Sequence, residues 1–468
     1  MPTTYQTLNG IAMTGKPREV SDMTDKHIDL RSEEKQEEMF EAWFSSTEIT
    51  FENPEAEKAY HDRITRVKDA IQLKVPDRVP VYISSGFFPD YYTDITPETA
   101  MYEYGKLGMA WKNLVLDFQP DVYAGLAIAL PKKAFGILNY KLDSLPGHGT
   151  TPDTPYQCIE AENMMADEYD ALIQDPSDFL MRVYLPRIFG VLKPFHQLLT
   201  LTNTVEIPFV EPYLMRYAIP EVRSAFEALL AAGQEALKWQ EIVAVCNKSL
   251  NEAGFPISTS GSTKAPFDVL GDTPRRTKGI MIDMYRQPDK VLEALEGLTP
   301  LMISVGVNGA RSSERPLVFI PLHRGADSFM SDEQFKRFYW PTLREVIMGL
   351  IAKGLVPFVF AEGAYSNSRL EIVKDIPRGK TLWLFDDTDM AKAKKVLGDT
   401  ACIAGNVPIS LLSTGEPDEV KTYCKKLIDV AGKDGGFIMA SGSVIDQAKP
   451  ENLRTMIEFT KEYGVYRR

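Results

Sequence analysis

Thiols and imidazoles are scarce in this chain: 468 residues carry four cysteines and five histidines. Cys158, Cys246, Cys402 and Cys424 are scattered and form no CxxC pair. That spacing offers no disulfide framework and no evident thiolate zinc site, and it suits a reducing cytoplasm. No run of 18 or more apolar residues occurs, so no membrane span is expected. The opening residues, Met1 to Tyr5, show no basic stretch followed by an apolar one, so no secretory signal is expected. Positive charge is also short: the net charge is -13, with no Lys/Arg stripe interleaved with aromatics, which argues against a nucleic-acid partner. The phosphate and dinucleotide fingerprints GxxxxGK[ST] and GxGxxG are absent.

What is present is a rhythm. In the last third, short apolar runs alternate with amphipathic ones. Leu317–His323, Val356–Gly363, Thr381–Asp387, Ala401–Asn406 and Gly436–Ser441 read as strands, with a helix-like stretch from Ser331 to Ala352 between the first two. Each strand ends at or beside Asp, Glu, His, Asn or Ser. Strands separated by helices imply a parallel sheet, and in a barrel of such units chemistry sits at the C-terminal strand ends. Upstream, residues 1 to about 30 read as a polar arm. Ser32 reads as the N-cap of a helix and Pro54–Gln72 as a second helix. Val79–Ser84 and Asp121–Leu126 read as the first two strands, with a helix from Met101 to Asp117 between them. The middle is less regular. Leu145–Pro152 reads as a loop, Met164–Asp175 and Phe179–Leu201 as helices broken at Pro186 and Pro194, and Ile207–Glu211 as a third strand. Pro220–Asn251 reads as a long helix, Ser258–Ser262 as a flexible loop and Pro288–Leu298 as a helix. The expected fold is therefore α/β: a TIM (β/α)8 barrel over residues 76–468, with an N-terminal arm and helices over 1–75 and a helical insertion. Long helices with mixed faces permit a homodimer without requiring one.

Several strand-end residues are candidates for chemistry. Glu362 follows an apolar run and precedes Gly363, where the chain can turn; a carboxyl walled by apolar residues has its pKa raised and suits a general acid. The competing reading is an acid that caps the next helix or pairs with Arg369. His323 is a rare neutral-pH proton carrier, or else a structural histidine bonded to a carbonyl. Asp386, Asp387 and Asp389 follow a strand; Asp386 is the catalytic candidate, and Asp389 equally suits the N-cap of the helix Met390–Leu397. Asn406, Ser441 and Ser443 lie in Gly-containing loops, either a phosphate cradle or simple turns. Glu160, Asp175 and His196 are too widely spaced for a metal motif.

Taken in order, Pro76-Asp77-Arg78-Val79-Pro80-Val81, Phe329-Met330-Ser331-Asp332-Glu333-Gln334-Phe335, Gly405-Asn406-Val407-Pro408 and Lys449–Leu453 with Tyr463–Tyr466 resemble the uroporphyrinogen decarboxylase superfamily. The likeness covers roughly residues 60–468 and is strongest after 315. It implies a TIM barrel shared by porphyrinogen decarboxylases and cobamide-dependent methyltransferases. In the decarboxylases an arginine-rich segment after the first strand holds substrate carboxylates. Here that segment, Ser84–Tyr92, has aromatics and no arginine, which disfavours a polyanionic substrate. The thiol-directed methyltransferases carry His-x-Cys on one strand and a Cys near the last. Phe360 and Glu362 take the first two places and Ser443 the last. Zinc needs softer donors than these to activate a thiol, so transfer to a thiol coenzyme is not expected and metal content stays open.

The resemblance thus implies a cytoplasmic methyltransferase of anaerobic metabolism. It would move a methyl group between a small, methoxylated aromatic substrate and cobalamin carried by a separate corrinoid protein, as in O-demethylation. Glu362, helped by His323, would protonate the leaving oxygen. Phe87, Phe88, Tyr91, Tyr92 and Tyr365 would line an aromatic pocket, or serve as core. The alternatives are a corrinoid-free decarboxylase or lyase on the same barrel, and a non-catalytic barrel that docks a corrinoid protein.

Overall fold

The structure, a computed structural model, describes residues 25–45, 49–125, 130–147, 149–311, 313 and 315–466. Most of the arm expected over residues 1 to about 30 therefore lies outside the described residues. From Asp25 onward the chain is helical. Helix α1 (Asp25–Ser45) begins seven residues before Ser32, which is thus inside a helix and not its N-cap. Helix α2 (Pro54–Ile71) starts as expected, with Pro54 in its first turn and the Asn53 side chain accepting the Ala56 N–H at 2.8 Å.

Eight strands carry the site: β1 (Tyr82–Ile83), β2 (Val122–Tyr123), β3 (Thr259–Ser262), β4 (Leu317–Leu322), β5 (Val356–Ala361), β6 (Leu382–Phe385), β7 (Cys402–Ala404) and β8 (Phe437–Ile438). β3 to β8 form one parallel sheet in sequential order, and β1 pairs with β2 in parallel. Parallel bridges tie this pair to both edges of the larger sheet, Val81 to Met439 and Tyr123 to Ile257. The Tyr82 N–H donates to the Met439 carbonyl at 2.9 Å, and the Ser258 N–H to the Tyr123 carbonyl at 3.0 Å. The strands thus follow one another in sequence, as the strands of (β/α)8 folds do.

Alternation along each strand divides two cores. Tyr82, Leu317, Phe358, Phe360, Leu384, Ala404 and Ala440 gather with Phe40, Trp43, Tyr60 and Ile64 of α1 and α2. The two N-terminal helices therefore share the core on this face of the strands. The opposite faces, with Val318, Ile320, Val359, Trp383 and Ile403, pack on the surrounding helices. An ionic cluster fastens β1 to β2. Arg66 forks onto Asp77 with both contacts at 2.6 Å and reaches Asp121 at 2.7 Å, while Arg78 reaches the same Asp121 at 2.7 and 2.8 Å. Asp121 also accepts the Val81 N–H at 2.8 Å. The Pro76-Asp77-Arg78 stretch is thus a structural clamp on the first two strands.

Between β2 and β3 lies the insertion, which contains a small sheet (Asp143–Pro146, Gly149–Thr150 and Gln157–Cys158) and the 33-residue helix α3 (Pro220–Glu252). The expected loop Leu145–Pro152 overlaps that sheet; its His148 lies outside the described residues. Two expectations fail here. Ile207–Glu211 is not a strand but the start of a helix, Ile207–Met215, with Pro208 in the first turn, where no N–H is needed. Its β-branched and aromatic content suggested a buried strand, yet Ile207 is 89% exposed. The true third strand is β3, over residues read as a flexible loop. Its small polar residues suit close packing: a side-chain carbon added at Gly261 would meet the Gly309 backbone at 2.9 Å. Met164–Asp175 is helical only over Tyr169–Gln174.

Two further helices frame the mouth. Helix α4 (Pro266–Asp272) follows β3, and helix α5 (Pro288–Arg311) extends well past the expected Leu298. Among the described residues α5 is the one helix long and apolar enough to cross a membrane. Here it is packed, with Gly306 against Leu350 and Val318, and Gly309 against Gly261.

Candidate active site

Phe360 and Leu384 face the core shared with the N-terminal helices, so residues two further along point the same way, above it. Those residues are Glu362 and Asp386, and Asn406 stands in the same relation to Ala404. His323 follows β4 directly. The strand pattern thus brings four expected site residues to one end of the sheet.

His323 is held between two carboxylates. Its Nδ1 lies 2.7 Å from Asp272 Oδ2, and its Nε2 lies 3.7 Å from Glu362 Oε1. Its backbone N–H donates to Asp268 Oδ2 at 3.0 Å, and the Tyr339 hydroxyl donates to the same oxygen at 2.6 Å. Lys264 and Arg324 both pair with Asp272. The electrostatics follow from this arrangement. Burial by itself would lower the His323 pKa, but Asp272 and then Glu362 raise it above its ordinary value. Burial would raise Asp272, yet His323, Lys264 and Arg324 hold it far below the usual carboxylate range. Glu362 is raised by burial; His323 pulls it down, while Asp268, Asp272 and Asp386 push it up. Asp386 is raised by burial and by Asp387, against the Gly363 N–H that donates to it at 3.0 Å. The mouth therefore holds an anionic Asp272, a His323 that keeps its proton to higher pH than a free imidazole, and a Glu362 that retains its proton to higher pH than a free carboxyl.

The bland readings of Glu362 and His323 do not apply. Ser366, not Glu362, caps the helix Asn367–Val373. Arg369 is spent elsewhere, on Asp332 at 2.9 Å and the Met330 carbonyl at 2.7 Å. His323 bonds a carboxylate and not a carbonyl. Asp389 does cap its helix, accepting from Ala391 and Lys392.

Asp268 and Asp272 were absent from the sequence reading. They sit four apart on α4, one turn of one face, and that spacing of two acids beside a predicted strand was the available signal.

The remaining expected residues fall differently. Tyr365 is buried against Phe385, its hydroxyl without a partner among the described residues. Asn406 spends its amide N–H groups on the Asp386 and Thr388 carbonyls at 2.9 and 2.7 Å, and Ser441 donates to the Ser443 carbonyl at 2.7 Å. These loops brace themselves, which leaves little for a phosphate. Phe88 packs with Tyr92 and Phe118 in the outer core, Tyr92 bonds Asp117 at the surface, and Tyr91 bonds the Asp153 carbonyl. Of the four aromatics only the buried Phe87 comes near the mouth, through an edge contact with Tyr156.

Two hollows meet there. One, of 380 Å3, is lined by His323, Asp272, Arg324, Tyr156 and Cys158, so the small sheet of the insertion roofs the acid cluster. The other, of 660 Å3, is mostly apolar, walled by Tyr82, Ala124, Phe319, Pro321 and Met302. Lys264 borders both. The donor set does not fit zinc. Phe360 is buried against Phe319, and among the described residues no three His, Cys, Asp or Glu side chains cluster as metal ligands. Glu160, Asp175 and His196 are apart, bonded to the Lys278 N–H, the Asp178 N–H and the Lys193 carbonyl.

A parallel α/β sheet whose acids and imidazole collect at the C-terminal strand ends, above an apolar hollow, defines an enzyme-type fold of the TIM-barrel kind. The chain belongs to the uroporphyrinogen decarboxylase (URO-D) family, whose pattern matches residues 206–463. A uroporphyrinogen decarboxylase of Chlorobaculum parvum is 23% identical over 340 residues, 67% of this chain and 94% of that protein. One of Chlorobium phaeobacteroides is 26% identical over 161 residues, 32% of this chain and 45% of that protein. Among solved structures, a methyltransferase from Methanosarcina mazei superposes with a TM-score of 0.52 at 16% identity, over 85% of this chain and 98% of that one. That likeness speaks for the fold.

Proposed function

We propose that the eight strands close as a TIM barrel, and that the protein is a cytoplasmic methyltransferase. It would move a methyl group between a small methoxylated substrate and a corrinoid held by a separate protein. The observation that carries this reading is the His323–Glu362 pair at the strand ends, with the hollow that His323 lines joined at Lys264 to an apolar one. A methyl ether is inert to displacement unless its oxygen is protonated or bound by an electrophile, and this mouth supplies a carboxyl that holds its proton beside an imidazole that can donate one. The corrinoid would supply the nucleophile or the methyl donor. The chain's own residues would do the rest. Tyr82, Phe319 and Pro321 take up the apolar body of the substrate. Glu362 gives its proton to the leaving oxygen, and His323, fixed by Asp272, supports the developing charge. The roof formed by the insertion keeps water out.

Decarboxylation, the named activity of the similar Chlorobaculum and Chlorobium proteins, is supported less well. Ser84–Tyr92 contains no arginine, and a polyanionic substrate needs fixed cations there. The test is anaerobic incubation with cob(I)alamin or a candidate corrinoid protein and a panel of methoxylated aromatics, following cobalt absorbance. A substrate-dependent spectral change that is lost in Glu362→Gln supports methyl transfer. No change with any donor, or full activity in Glu362→Gln, rejects it. Tight corrinoid-protein binding without turnover would then identify a docking barrel.

A further inference from the structure

Away from the mouth, a second polar hollow of 540 Å3 opens between the C-terminal turns of α3 and the chain that enters β4. Arg315, Lys248, Asn247, Asn251 and Ser313 line it, and among the described residues of its lining Glu252 is the one carboxylate. Arg315 is the unusual member. Its Nε donates to the Thr259 carbonyl at 3.0 Å, and among the described residues the rest of its guanidinium has no hydrogen-bond or ion-pair partner. Burial pushes its pKa below the usual arginine value, and only Tyr60 and Tyr123 act against this. Neighbouring groups are also underused. The Asn251 side-chain oxygen position is buried without a partner, and the two atoms of an amide end exchange by a simple flip. Among the described residues Asn247 uses its oxygen alone, accepting from the Tyr123 hydroxyl at 3.4 Å. Lys248 reaches Glu252 only at 3.9 Å, with its side chain 74% exposed.

The free fork of this partly buried guanidinium matches two oxygens of a phosphate. We propose that this hollow binds the phosphate group of a small phosphorylated metabolite, with Arg315 as the fork, Lys248 as a second cation and the Asn247 amide as a neutral donor. Its volume exceeds a bare phosphate, so the remainder of the ligand has room. The proposal is independent of the methyl-transfer reading, because its test reads binding alone.

The experiment is calorimetric titration of the full chain with inorganic phosphate and with glycerol phosphate, with malonate as a dicarboxylate control. Saturable binding of both phosphates is expected, tighter for the ester and at least tenfold weaker for malonate. Arg315→Met should weaken phosphate binding at least tenfold, and the exposed Lys248→Gln about threefold. Should Arg315→Met fail to fold, Arg315→Lys keeps the charge without the fork and is expected to weaken binding severalfold. Absence of saturable phosphate binding by the wild-type protein, or unchanged affinity in Lys248→Gln together with either Arg315 variant, overturns the proposal. Preference for malonate over both phosphates overturns the phosphate assignment.

Discussion

Asp272 holds His323 by Nδ1 at 2.7 Å, which leaves the opposite ring nitrogen facing Glu362. The pair sets its own pH window. The raised His323 contributes stability in full below the ordinary histidine pKa, and this is lost as pH rises through its raised folded value. The depressed Asp272 contributes above the ordinary aspartate pKa, and this is lost as pH falls through its folded value. Asp272→Asn removes the anion that offsets burial of the ring, so the His323 pKa should fall below that of the wild-type protein. With only five histidines in the chain, NMR titration resolves this. An unchanged His323 titration would show that Asp272 does not govern the ring.

Glu362 acts in the proposed reaction only while protonated. Methyl-transfer kcat/KM should therefore fall as pH rises through its raised pKa. His323 lowers that pKa, so His323→Gln should move the alkaline limb to higher pH while reducing the maximal rate by about 10²-fold, the low end for loss of an acid–base partner. A limb that stays in place, or moves to lower pH, would detach it from Glu362.

At the other end of the strands, Asp121 is buried beneath Arg66 and Arg78. Burial would raise its pKa, yet the two guanidinium groups hold it below the usual range. Asp121→Asn leaves those cations without their shared anion and should cost about 3–5 kcal/mol, the range for breaking a buried pair. Urea unfolding at pH 7 measures it. The wild-type contribution is present above the ordinary aspartate pKa and disappears as pH falls through the depressed one, so no change is expected between pH 6 and 9 from this group. A loss under about 1 kcal/mol would mean that the clamp contributes little net stability.

How much of this was legible in the sequence depended on how locally each feature is determined. β4 to β8 are apolar runs bounded by breakers; the residue directly after β4, β5 and β6 and the second residue after β7 fell where alternation demanded, so His323, Glu362, Asp386 and Asn406 were found. β3 was not, because Thr259–Ser262 owes its strand conformation to Gly261 fitting beneath α5, a contact between residues about fifty positions apart. The strand-like run at Ile207 failed for the converse reason: its apolar residues have no core to enter. Asp268 and Asp272 were hidden because their meaning depends on α4 meeting β4. Phe88 and Tyr92 illustrate the bland outcome, aromatic residues that fill a core near a site without lining it.

Asp90 lies in the segment where the decarboxylases are expected to carry arginine. It is 1% exposed, and neither carboxylate oxygen has a hydrogen-bond partner among the described residues. Burial, then the nearby Asp446, pushes its pKa up to about 8. In the unfolded chain it ionises near the ordinary aspartate value, so between about pH 4 and that raised value the native state binds the extra proton. Stability must then fall as pH rises across this interval and level off above it, by a few kcal/mol in total. Asp90→Asn cannot ionise and should flatten the interval, with a gain relative to wild type that grows from pH 5 to pH 8, whatever the amide itself costs at a fixed pH. Thermal or urea unfolding of both proteins at several pH values measures the slope. Parallel curves for the two would mean that Asp90 is ionised in the folded protein, and that a cation or water reaches it there.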